Sequence, residues 1–166
     1  SRCLRMGGES MDEEITNYLK KHHSILVGEG AAEGIKVGIG PALLADGGAA
    51  LPISVKGRHT VTGMPTEVSV LQSDIVRAIL PVIDMLAAAI RDVIEQSPPD
   101  IMSDVLENGI TLTGGVARLE GIGPAIEERL NLKVTIAEDP DHVVARGLNA
   151  VMRDRKSFKH IFVDAD

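Results

Sequence analysis

Aromatic side chains are almost missing from this sequence. Its 166 residues hold no tryptophan, and Tyr18, Phe158 and Phe162 are the whole aromatic complement. Proteins that hold single-stranded nucleic acid stack bases on aromatic platforms, and phosphate tracking needs a basic surface. The net charge of -7 runs against the second requirement too, so nucleic acid is excluded as a partner. A single cysteine, Cys3, leaves no internal disulfide and, without a Cys-x-x-Cys, no thiolate zinc site. His22, His23, His59, His142 and His160 show no metal-ligand spacing with carboxylates and read as solvated. Apolar stretches break well before the ~18 residues that a membrane span needs. No secretory signal opens the sequence, and a cytosolic protein is the expectation. There is no initiator methionine, and Ser1–Arg5 reads like the interior of a strand, so a fragment of a longer protein is expected.

What is present is aliphatic and glycine-rich, enough for one compact domain or two small lobes. After the first strand and Gly7-Gly8, Ser10 with Glu13 three residues later reads as a capping box. Met11, Ile15, Tyr18 and Leu19 then follow helical spacing. "GEGAAEGIKVGIG" is a poorer helix, with Gly30, Gly34 and Gly38 on one face. Each costs roughly 1 kcal/mol against alanine, so that face either admits a close approach or is locally loose. "PALLADGGAALP" reads as a loop. "ISVKGRHTVTGMPTEVSV" alternates apolar and polar residues, giving two or three antiparallel strands.

From Ser73 the apolar period turns helical through Ile75, Ile79, Val82, Leu86, Ile90, Val93 and Ile94, with Pro81 expected to kink or split the run. A short helix follows Pro98-Pro99 and closes at Asn108-Gly109. Next come a strand over 110–113, a helix over roughly 121–130, a strand over 132–137 and a helix over roughly 142–153. The resulting alternation predicts an α/β lobe over residues 73–153, to whose sheet the first strand adds. Residues 7–72 form an α+β insertion of different character, and 154–166 a loosely held tail.

Chemistry has few places to reside. In "ITLTGGVARLEGI" a strand runs into Gly114-Gly115, which lets backbone pass close to a ligand without Cβ interference, or simply makes a tight turn. No Walker lysine or third dinucleotide-fingerprint glycine follows. Glu33 and Lys36 share a helix face at i, i+3: a ribose- and adenine-contacting pair, or a solvated ion pair. Gly7, Gly8 and Asp12 precede or open a helix whose N-terminus favours phosphate charge, or form an ordinary turn. No Ser/His/Asp set or carboxylate pair for catalysis can be inferred. Glu138, Asp139 and Asp141 read as a solvated acidic turn.

Taken in order, "MGGESMDEEI", "GEGAAEGIKVGIG", "VKGRHTVTGMPTEVSV", "SPPDIMSDVLENGITLTGG" and "VTIAEDPDHVVARGL" resemble the carboxy-terminal half of the MreB family of bacterial actin-like cell-shape proteins. The resemblance runs over roughly residues 1–153. It implies the second lobe of the actin-like ATPase fold: residues 1–6 and 73–153 as its large subdomain, 7–72 as a small inserted one. By the same resemblance Thr113, Gly114, Gly115, Val116 and Ala117 are the adenosine loop, and Glu33 and Lys36 the facing wall. Gly7, Gly8 and Asp12 fall on the phosphate side, and Ala145 and Gly147 on a helix near the inter-lobe connection. The implied cofactor is ATP, with Mg²⁺ placed only by the family's other lobe. Its phosphate motifs, Asp-x-Gly-Thr and Asp-x-Gly-Gly-Gly-Thr, do not occur in these residues. Phosphoryl transfer depends on that positioning, so the chain alone is expected to be inactive toward ATP. The implied partners are further copies in a head-to-tail filament and, at the membrane, the wall-synthesis machinery. Two alternatives stay open: a lobe of a non-polymerising chaperone- or kinase-type ATPase, and a nucleotide-free interaction module.

Overall fold

A computed structural model describes residues 1–40, 43 and 51–158. Its longest element is α3, Gln72–Glu95, a helix of 24 residues that carries the core. Ile75, Val76, Ile79, Val82 and Ile83 are fully buried along one side of it, the spacing that turns one helical face inward. Of the kink or split expected at Pro81, the split does not occur: the proline sits inside one continuous α3. The flanking Ile79, Val82 and Ile83 are each at most 1 % exposed. Burying three such side chains supplies ~1.5–3 kcal/mol each, which outweighs the roughly 3 kcal/mol a helical proline costs.

Against α3 lies α1, Gly8–His23, through Met11, Ile15 and Leu19 at i, i+4 and i+8. The helix begins earlier than the capping box predicts. Gly7 is its N-cap, no side chain caps it, and Ser10 lies within the first turn. α2, Glu29–Gly38, packs on α1 and buries Ala32. The strand β1, Ile25–Leu26, pairs antiparallel with β2, Pro52–His59, which pairs antiparallel with β3, Pro65–Leu71. Gly57 is what admits β1: a Cβ there would stand 2.3 Å from the Leu26 carbonyl oxygen. The loop expected over "PALLADGGAALP" lies largely outside the described residues, as do residues 159–166.

Beyond α3 come α4, Pro99–Asn108; β4, Ile110–Leu112; α5, Ile122–Leu130; β5, Val134–Ile136; and α6, Val143–Arg153. β4 and β5 pair in parallel, Ile110 with Val134 through Leu112 with Ile136, as the strand–helix–strand pattern requires. Gly109 turns the chain from α4 into β4 with φ +78, directly against the Lys133 carbonyl. Residues 1–5 form no strand and are exposed, with Arg2 ion-paired to Asp92 of α3. Extended chain is a strand only where a ladder partner accepts it, and no described strand does so here.

Candidate functional site

Three pieces of chain converge where α1 begins. With Gly7 as an uncapped N-cap, the leading N–H groups of α1 lack side-chain partners, and they carry the positive end of the helix dipole. Lys36 of α2 reaches over this turn. Its Nζ donates to Asp12 Oδ2 at 2.7 Å and to the Gly8 carbonyl at 3.2 Å. The pair is well buried, with 12 % of the Lys36 side chain and 18 % of the Asp12 side chain exposed. The other carboxylate oxygen, Asp12 Oδ1, is buried with no hydrogen-bond partner among the described residues. Native carboxylates rarely leave an oxygen so, and an incoming hydroxyl or water would satisfy it.

The third piece is the loop after β4. Gly114 has φ +88 and ψ 176, a conformation open essentially to glycine alone. Its N–H donates to the Pro140 carbonyl at 2.9 Å, and its own carbonyl accepts from Ala117 N–H at 3.1 Å, closing a 3-10 turn over Gly115–Arg118. Space beside Gly114 and Gly115 is open, with nothing within 4 Å of where a Cβ would stand. Thr113 is exposed at the mouth and Ala117 buried at the back. Val116 leans toward α1: a Cβ on Gly8 would lie 3.2 Å from Lys36 Nζ and 3.5 Å from Val116 Cγ2. A side chain at position 8 would press on the Lys36 ammonium, so glycine suits the close packing of the α1 turn against Lys36 and Val116. Beneath them lies a cavity of about 200 Å³, lined by Met6, Gly7, Thr113 and Val116 and by aliphatic residues of α3 and α5.

Electrostatics hold the loop in place. Arg118 pairs with Asp141 at 2.6 Å, tying the turn after β4 to the turn after β5. That hydrogen bond raises the Arg118 pKa. Asp139 Oδ1 and His142 Nδ1 stand 2.9 Å apart. Their hydrogen bond lowers the Asp139 carboxyl below its ordinary value and raises His142 above its own. The acidic turn is thus solvated yet structured, with Asp141 held by Arg118 and Asp139 by His142.

Of the residues singled out by sequence, Gly8, Asp12, Lys36 and Val116 are brought into direct proximity. Gly7, Thr113 and Ala117 border the cavity that Val116 also lines, and Gly114 and Gly115 lie in the same loop with open space beside them. Glu33 is exposed, on the same α2 face as Lys36, and has no partner among the described residues. The Glu33–Lys36 ion pair left open by spacing does not form; Lys36 turns to Asp12 instead. The glycine face of α2 meets nothing within 4 Å at Gly30, Gly34 or Gly38. Gly34 and Gly38 instead line a separate groove of about 400 Å³ against β2. Two ties escape sequence reasoning, Arg118–Asp141 and Gly114–Pro140, because each joins residues more than twenty positions apart with no periodic signature.

Among the described residues no three metal-ligating side chains gather. The arrangement is instead one of reception: an uncapped helix N-terminus, a buried ammonium, an orphan carboxylate oxygen and open glycine backbone around a small apolar floor. Such groups suit an anionic ligand with a flat apolar part and hydroxyls.

Comparison with known proteins follows the same outline. The sequence model of the MreB/Mbl protein family matches residues 1–160. The cell shape-determining protein Mbl of Bacillus cereus is 34 % identical over 154 residues, covering 93 % of this chain and 46 % of that protein. The cell shape-determining protein MreB of Escherichia coli K12 is 36 % identical over 147 residues, covering 89 % of this chain and 42 % of that one. The chain thus spans a little under half the length of these relatives. In structure it is similar to MreB5 of Spiroplasma citri bound to AMPPNP, with a TM-score of 0.85 at 24 % identity over 96 % of this chain and 47 % of that one. It is similar also to MamK in a double helical filament, with a TM-score of 0.71 at 21 % identity over 90 % of this chain and 45 % of that one. The architecture is accordingly α/β, the second lobe of the actin-like fold, and the chain belongs to the MreB/Mbl family of cell shape-determining proteins.

Proposed function

We propose that this chain is the nucleotide-binding second half of an actin-like cytoskeletal protein whose ATP-dependent filaments direct cell shape and wall synthesis. The observation that carries the reading is the meeting of Lys36, Asp12 and Gly8 beside Val116, which lines the adjoining cavity together with Gly7, Thr113 and Ala117. In this reading the purine and ribose lie between Glu33 and Lys36 on one wall and Thr113, Gly114, Gly115, Val116 and Ala117 on the other. The phosphates run toward Gly7, Gly8 and the α1 N-terminus, with Asp12 holding Lys36 in register. When bound, the nucleotide would bring its charge and an apolar base between the two halves of the protein, and this chain's residues would orient it and shield its base from water.

Residues 7–72, with their antiparallel sheet, are the small inserted subdomain, and 1–6 with 73–153 the large one. The phosphate motifs and the Mg²⁺ they place belong to the other half, so this half alone does not hydrolyse ATP. That other half also covers α6, where Val144, Leu148 and Met152 recur at i, i+4 and i+8 and the helix buries no residue. The filament lies at the cytoplasmic face of the membrane. No described helix is itself long and apolar enough to cross one.

A nucleotide-free module is the second reading, favoured by Lys36 already engaging two acceptors. Calorimetric titration with ADP separates the two. Binding that weakens about five-fold or more in Glu33→Ala, the loss of roughly one hydrogen bond, supports the nucleotide site. Absence of heat at millimolar ADP leaves the module.

A further inference from the structure

The openness of the loop after β4 has a conformational cost. Nothing lies within 4 Å of where a Cβ on Gly114 or Gly115 would stand, so the space that admits a ligand also leaves both glycines without packing on that side. Glycine gives up more freedom on ordering than any other residue. Backbone this free keeps one shape only where polar ties hold it.

Such ties stand at both ends of the loop. At its start, Gly114 N–H donates to the Pro140 carbonyl at 2.9 Å. At its end, Arg118 Nη1 donates to Asp141 Oδ2 at 2.6 Å. The two acceptors are consecutive residues of one turn, and that turn is itself fixed. Asp139 has φ +49, a left-handed conformation uncommon outside glycine. It is held there by His142 N–H on the Asp139 carbonyl at 3.0 Å, and by Asp139 Oδ1 beside His142 Nδ1 at 2.9 Å. Arg146 of α6 donates to the Glu138 carbonyl from the other side. Asp139 is the other carboxylate whose charge reaches Arg118; with His142 engaging it, Asp141 is the carboxylate that closes on the arginine.

The Arg118 side chain is 68 % exposed. An ion pair so placed adds little to the stability of a whole fold, because water and salt screen it. Its effect falls instead on the short loop that it closes.

We propose that Arg118 and Asp141 are positioning residues: their ion pair, acting with the Gly114–Pro140 hydrogen bond, braces the Thr113–Ala117 loop in the shape that receives the purine end of a nucleotide. Ordering the loop beforehand removes that cost from binding. The inference rests on the nucleotide reading of the recess, and adds that neither Arg118 nor Asp141 touches the ligand.

The test pairs calorimetric titration of the 166-residue chain with ADP and amide hydrogen exchange at Gly114 without nucleotide. Asp141→Asn and Arg118→Gln should each weaken ADP about three- to five-fold and speed Gly114 exchange by a similar factor, the scale of one exposed ion pair. The thermal midpoint should stay nearly unchanged, and circular dichroism checks that each variant folds. Arg118→Asp combined with Asp141→Arg should recover both readouts, and near ~1 M salt the single variants and the unmodified chain should converge. Tighter ADP binding by Asp141→Asn with weaker binding by Arg118→Gln would overturn the brace, since a released guanidinium would then be contacting the ligand itself. Unchanged Gly114 exchange in both single variants would overturn it too, whatever happens to ADP. A loss of affinity that tracks a loss of thermal stability and resists the charge swap would reduce the pair to a structural role. Absence of ADP binding to the unmodified chain overturns the nucleotide reading instead, and Gly114 exchange then decides by itself whether the pair holds the loop.

Discussion

Replacing Asp12 by asparagine and Lys36 by methionine, singly and together, measures the contact that organises the recess. The Lys36 ammonium lies 2.7 Å from Asp12 Oδ2, with four-fifths or more of each side chain removed from water. At an effective dielectric near 20 the attraction amounts to several kcal/mol, and desolvating the two ions opposes most of it. Asparagine keeps an acceptor for Lys36 but loses the charge, costing about 1–2 kcal/mol. Methionine at position 36 leaves both Asp12 oxygens unpaired in a largely buried place and costs about 2–4 kcal/mol. The double variant has no stranded charge, so its loss falls short of the sum by ~1–2 kcal/mol. Urea unfolding reads these values as shifts in midpoint at constant slope. Additive losses within about 0.3 kcal/mol would refute the reasoning, because they would mean that the two groups do not sense one another in solution.

Gly109→Ala forces a side chain at φ +78 and a Cβ 2.2 Å from the Lys133 carbonyl oxygen. Strain alone costs roughly 1–3 kcal/mol, and thermal unfolding should show at least that much, with β4–β5 amides losing hydrogen-exchange protection first. Ile83→Ala, at a site 0 % exposed, should cost about 2–5 kcal/mol; a loss under ~1 kcal/mol would mean α3 is not the core. The His142 titration followed by NMR should have its midpoint above 6.5, returning toward 6.5 in Asp139→Asn. The sign runs both ways for this pair. The raised His142 pKa contributes stability below 6.5 that is lost as pH rises through its folded value. The lowered Asp139 pKa contributes above 3.8 and is lost as pH falls through its own. The turn is therefore firmest between about pH 4 and 6.5.

The amphipathic helices were legible because their signal is periodic and local. Met11, Ile15 and Leu19, and Ile75, Ile79 and Val82, announce their buried faces before any fold is known. The hairpin was legible for the same reason, and the Asn108-Gly109 stop came out at the expected junction. What failed depended on partners. β1 is two residues long, too short for alternation to show, and exists because Gly57 leaves room beside it. The strand expected at residues 1–5 read well in isolation but finds no ladder to join among the described residues. Pro81 was weighed on backbone cost alone, whereas burial on either side decides the outcome. Within the recess, spacing placed Glu33 and Lys36 on one face, yet the Lys36 contact runs to a residue 24 positions away. Nothing local marks that contact, and the order of motifs along the chain placed the two residues at one cleft without pairing them.

Whether the recess receives nucleotide is read from amide chemical shifts of the isotope-labelled chain during titration with ADP. Saturable shifts are expected at Gly7, Gly8, Asp12, Glu33, Lys36 and Thr113 through Ala117, with the hairpin tip and α4 unmoved. Saturable shifts confined to another surface, or none at millimolar ADP, would contradict nucleotide binding there.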